Sequence, residues 1–85
     1  MTELHIDILI ELRREAQFGL SEQKLLDRLR PEGHRELALP QLQLALRELL
    51  DASLANSFLS PLSGKRWRIM ARAEAVLAEE GLGQS

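Results

Sequence analysis

The 85-residue chain has no cysteine, so it holds no disulfide scaffold, no thiolate metal ligand and no thiol nucleophile. Glycine and proline are few, five and three, which sets it apart from low-complexity chains. Long hydrophobic runs are missing as well. The longest near the N-terminus, Ile8-Leu9-Ile10, is flanked by Asp7 and Glu11. A secretory leader needs a longer run behind a basic start, and a spanning helix needs about 20 apolar residues. The expectation is a chain without leader or membrane span, residing in the cytoplasm. Nor is there an excess of positive charge: 11 basic against 13 acidic residues leave a net charge of −2, so no global field advertises an anionic partner. What is present is a globular balance, 45% hydrophobic and 28% charged, sized for a single domain over residues 1–85 with an ordered core over about 3–82.

Hydrophobic spacing predicts the elements. His5, Ile8, Leu9, Leu12 and Ala16 share one face of a first helix from Glu3 to Phe18, with Thr2 as its N-cap and Gly19 as its stop. Ser21 caps a second helix, Glu22 to Arg30, with Leu25, Leu26 and Leu29 inward. Pro31 and Gly33 end it and open a polar loop. A third helix starts at Pro40, carries Leu42, Ala45, Leu46, Leu49 and Leu50, and ends near Asp51 to Ser53. From Leu54 to Met70 the apolar residues recur at alternate rather than helical steps. Two strands joined by the turn Ser60-Pro61-Leu62-Ser63-Gly64 are expected there, with Trp67 and Ile69 facing the core. A last helix runs from Ala71 to Glu80 with Ala73, Val76 and Leu77 inward and Gly81 as its stop, before a frayed tail, Gly83-Gln84-Ser85. The expected fold class is mainly α with a small β-hairpin (α+β), in the order helix-helix-helix-strand-strand-helix.

That order resembles the winged-helix domain, a helix-turn-helix variant whose hairpin is called the wing. The stretch Leu42 to Leu54 is similar to the third-helix signature of bacterial winged-helix regulators, with Leu42, Leu46, Leu49 and Leu54 at the signature spacing. Gly64 to Leu77 resembles the return strand of the wing and the helix after it. The resemblance spans about Leu4 to Leu82, and no subfamily is identified. It departs in three places. Ser53 stands where the family usually has Gly, Met70 where it often has Thr or Ser, and Leu44 at a position normally polar or basic. Leu44 lies about 200° around the helix from Leu42 or Leu46, hence outward.

The resemblance implies a small, non-catalytic, transcription-related regulator that binds double-stranded DNA. The third helix would enter a major groove with Gln41, Gln43, Leu44 and Arg47, while Lys65, Arg66 and Arg68 of the wing hold phosphates. Local charge agrees: between Asp51 and Glu74 there is no acid, whereas Lys65, Arg66, Arg68 and Arg72 fall inside that gap. The alternative is a winged-helix protein-interaction module that binds no DNA. The acidic total and the outward Leu44 favour it, with the Leu44 face as the contact for a protein partner. Ile6 and Ile10, four residues apart, widen the stripe of the first helix. With Val76 they are the candidate interface of a weak homodimer.

Other chemistry finds no support. His5 and His34 are 29 residues apart with no metal-ligand spacing around them. Ser21, Ser53, Ser57, Ser60 and Ser63 fall in caps, turns or strands without a positioned histidine. Glu11/Glu15 and Glu79/Glu80 read as solvated charge on polar helix faces, and no Gly-rich phosphate loop occurs. Trp67, Phe18 and Phe58 read as packing residues. Neither an enzyme, nor a cofactor, nor a metal is expected.

Overall fold

The computed structural model describes residues 1–81. It has the expected order and class: helices α1 (Glu3–Arg14), α2 (Glu22–Leu29) and α3 (Leu39–Asp51), strands β1 (Ala55–Ser60) and β2 (Gly64–Ile69), and helix α4 (Ala71–Glu79). The tail Gly83-Gln84-Ser85 and the outer bound of the core at Leu82 lie outside the described residues. Among the described residues no helix is long and apolar enough to cross a membrane.

Local chemistry starts and stops these helices. Thr2 caps α1 in a reciprocal box with His5: the His5 N–H donates to Thr2 Oγ1 and the Thr2 N–H to His5 Nδ1. Ser21 Oγ accepts the Lys24 N–H at the start of α2. Helix α2 tightens into a 3₁₀ turn over Arg30–Glu32, and Gly33, at φ +99°, reverses the chain. Helix α3 begins one residue earlier than expected, with Ala38 as N-cap and Pro40 second in the helix. Ala38 has no side-chain acceptor, so only the return half of a capping box forms, in which Gln41 Oε1 accepts the Ala38 N–H at 2.9 Å. Ser53 adopts φ +61°, the bend for which glycine is better suited.

Helix α1 stops at Arg14, a turn short of the expected Phe18. Residues 15–18 form a looser turn, with Glu15 N–H on Leu12 O and Ala16 N–H on Arg13 O, closed by Gly19 N–H on Glu15 O at 2.7 Å. Ala16 and Phe18 have no core to pack on from there; both are exposed, Phe18 by 64%, contrary to the reading of each as a packing residue. The early exit lets Leu20 reach the hairpin, where it forms a bridge with Trp67 of β2.

Strands β1 and β2 pair antiparallel from Ala55↔Ile69 to Ser60↔Gly64. The core lies between α1, α2, α3, α4 and one face of this hairpin. Ile8, Leu9, Leu12, Leu25, Leu29, Leu42, Leu46, Leu49 and Leu77 are its largest fully buried side chains, joined by Trp67 as expected. Leu20 and Leu37, from connecting segments, are buried too. Ile6, Ile10 and Val76 are each partly buried against the same core. Glu11, expected in solvent, is only 5% exposed. Arg14 Nη1 reaches it at 3.2 Å, and Arg28 of α2 spans Glu11 at 3.7 Å and Glu15 at 3.0 Å, so these carboxylates tie α1 to α2. Two histidines add further ties from α1. His5 Nε2 meets Glu48 of α3 at 2.9 Å, and His34 Nε2 meets Asp7 at 2.7 Å.

Candidate nucleic-acid interface

On α3 the positions Gln41, Gln43, Leu44, Arg47 and Glu48 all face solvent, because the leucines at 42, 46 and 49 turn the opposite side inward. Leu44 is 63% exposed, the outward apolar residue that the spacing predicts. The five do not act as one surface. Gln41 is engaged at the start of the helix. Glu48 turns toward His5. Since His5 Nδ1 accepts the Thr2 N–H, its Nε2 carries the proton and donates to the Glu48 carboxylate. Arg47 Nε lies 3.6 Å from Asp51, one turn on, with both side chains largely in solvent.

Gln43 is drawn instead toward α2 and the hairpin. With Arg47, Leu50, Ser57, Lys65, Trp67 and Glu22 it lines a cleft of about 220 Å³. Glu22, the first residue of α2, stands at its centre. Its Oε1 accepts from Gln43 Nε2 at 3.0 Å, its Oε2 accepts from Trp67 Nε1 at 3.1 Å, and Lys65 Nζ lies 3.8 Å away. Burial by itself would raise the Glu22 carboxyl. The hydrogen bonds from Gln43 and Trp67 and the charge of Lys65 outweigh it and hold the group below its ordinary value. The carboxylate only accepts, so the amide of Gln43 must turn its NH2 toward it. The second amide proton and Oε1 are left for another partner.

Strand alternation divides the three hairpin cations. Lys65 shares the face of Trp67, with Nζ 5.2 Å from the ring centroid, beside α2 and α3. Arg66 and Arg68 point to the other face. Arg66 donates from Nε to Phe18 O at 3.0 Å, from Nη2 to Gly19 O at 3.1 Å and from Nη1 to Ser63 Oγ at 3.0 Å. It braces the hairpin against the α1–α2 connection. Arg68 stacks over Phe58, 4.4 Å from the ring centroid.

Of the residues selected from sequence, the structure therefore brings together Gln43, Arg47 and Lys65, with Leu44 adjoining on α3. It sets Gln41 at the helix start and Arg66 and Arg68 behind the hairpin. Ile6, Ile10 and Val76 belong to none of these surfaces. Glu22 was not foreseen; the available signal was an acid directly after a capping serine, which local reading assigns to the helix dipole alone. No protein-family model, curated protein or solved structure matches the chain.

Proposed function

We propose that the chain is a winged-helix module that binds double-stranded DNA without catalysing a reaction, with α2 and α3 as the helix-turn-helix and β1–β2 as the wing. The observation that carries this reading is the shared cleft of Gln43, Arg47 and Lys65, where an exposed helix face and a hairpin cation form one concave surface. Arg47 and the free edge of Gln43 face base edges, Leu44 meets a thymine methyl, and Lys65 meets phosphate. The setting is a bacterial-type, cytoplasmic, transcription-related regulator acting as a weak homodimer, since doubling such a small contact set raises affinity.

The test is anisotropy of a labelled random-sequence duplex titrated with protein at two salt concentrations. Binding weakens as salt rises, and Lys65→Ala reduces the slope of log affinity against log salt by about one. No retention of duplex at low salt overturns the reading. One observation supports the second reading, a protein-interaction module: Leu44 is a large apolar side chain in solvent, next in sequence to Gln43, whose cleft holds the acid Glu22. A Leu44→Asp variant that keeps its duplex affinity but loses self-association or protein capture favours that reading.

A further inference from the structure

A second cleft, of about 390 Å³, lies on the side of the hairpin turned away from α3. Strand alternation places Phe58, Arg66 and Arg68 there, and the connection after α1 brings Gln17 and Phe18 against them, with Leu62 of the hairpin turn at the rim. Among the described residues no acid lines this cleft. Among the described residues neither guanidinium has a carboxylate partner, in contrast to Arg14, Arg28, Arg47 and Lys65.

The two cations are also held in place. Arg66 is fixed by two backbone carbonyls and a hydroxyl, which engage three of its five N–H groups and leave two for a ligand. Arg68 has its planar fork stacked on Phe58. Immobilised donors lose little freedom on binding, which favours affinity. The floor is equally firm, because Gly19 packs so closely that a Cβ there would come within 2.5 Å of Trp67 O and 3.0 Å of the Phe58 ring.

Beside the cations stand two large apolar side chains that the core does not use. Phe18 is 64% exposed and Leu62 99%. Duplex phosphates gain nothing from Leu62, and the DNA contact proposed above lies on the opposite face of the hairpin. A ligand that rewards both halves of the cleft carries negative charge next to apolar bulk.

We propose that this cleft docks an acidic peptide segment of a partner protein, its carboxylate on Arg66 and Arg68 and a neighbouring large apolar side chain between Phe18 and Leu62. The site is independent of the α3 face. Random short peptides displayed on phage and selected against the full chain at low salt test it. The enriched sequences place Asp or Glu beside Phe, Leu, Ile or Trp. The winning peptide, made synthetically, loses about tenfold or more in affinity to Arg68→Glu and to Leu62→Asp. Both side chains are solvent-exposed, so thermal unfolding confirms that the variants fold; Arg68→Gln and Leu62→Ser replace any that do not. Winners lacking acids, or winners indifferent to both positions, overturn the proposal. So does an oligonucleotide that takes the site in place of peptides, and so does self-association of the chain that is lost in both variants.

Discussion

Leu20 and Trp67 exchange both of their backbone hydrogen bonds, Leu20 N–H to Trp67 O at 2.8 Å and Trp67 N–H to Leu20 O at 2.7 Å. With Arg66, this bridge fastens β2 to the segment between α1 and α2, and so helps to set where the hairpin stands relative to α3. Gly19 makes it possible. At φ +73°, with Trp67 O and the Phe58 ring in the way of any Cβ, no other residue fits without movement. Gly19→Ala is expected to destabilise the fold by about 2 kcal/mol or more, roughly 10 °C in thermal midpoint for a domain of this size. Gly33→Ala is the control: its φ is also positive, but nothing lies within 4 Å of the added carbon. Equal losses in the two variants contradict the close approach.

Stability toward acid follows from Glu22. Its carboxyl titrates below the ordinary 4.5 in the folded chain, so the folded state favours the ionised form more than the unfolded chain does. The resulting stabilisation is complete above pH 4.5 and is lost as pH falls through the folded-state value. Glu22→Gln removes the titration and keeps one acceptor oxygen, for Trp67 Nε1, while its new NH2 is met by the Gln43 amide turned to present its oxygen. Denaturant unfolding at steps below pH 4.5 is expected to show a shallower loss for the variant than for the wild type.

The same substitution has an opposite sign at the proposed DNA contact. Glu22 sets a negative charge 3.8 Å from Lys65, the cation assigned to phosphate. Removing it frees that cation and relieves repulsion, so Glu22→Gln raises affinity for random duplex at low salt and steepens the salt slope by about one. Lys65→Ala lowers both. A Glu22→Gln variant that binds duplex more weakly than wild type refutes this electrostatic account.

Features with a local cause were legible in the sequence. Thr2 and Ser21 cap because a side-chain oxygen three residues before an amide suffices, and the leucine stripes at 25, 26 and 29 and at 42, 46 and 49 need only helical periodicity. Strand alternation likewise placed Trp67 inward. What depends on contact between distant segments was not legible. Glu11 and Glu22 look like surface acids until Arg28, Gln43 and Trp67 arrive from other elements. Phe18 looks like a packing residue until the helix ends four residues early. Alternation alone could have separated Lys65 from Arg66, but which face meets α3 depends on the bridge from Leu20.

The proposed homodimer, if built through α1 and α4, predicts a concentration-dependent mass. Ile6, Ile10 and Val76 keep part of their surface in solvent while leaning on the core, so any interface they form is small and weak. Sedimentation at high micromolar concentration is expected to give an average mass rising above the 9.6 kDa of one chain. Ile6→Glu lowers that rise and also costs about 1 kcal/mol of stability, read separately by unfolding. A mass constant at one chain over the whole range removes the homodimer.

The carboxylate of Glu11 is a buried charge at the junction of α1 and α2. It is nearly inaccessible, and its cationic neighbours Arg14 and Arg28 are much more exposed. Deleting one partner of a buried charge costs more than replacing the whole group with well-packed apolar atoms, because the remaining charge keeps its desolvation penalty. Arg28→Met removes the partner that bridges Glu11 and Glu15, leaving Glu11 to the solvent-facing Arg14. That variant is expected to lose about 1–3 kcal/mol. Adding Glu11→Leu on the Arg28→Met background is expected to recover much of the loss, since the buried site then holds an apolar side chain and no charge. Denaturant unfolding of both singles and the double measures the coupling as a cycle. If the double variant is less stable than Arg28→Met alone, the carboxylate contributes through contacts other than this ion pair, and the account of the α1–α2 junction is wrong.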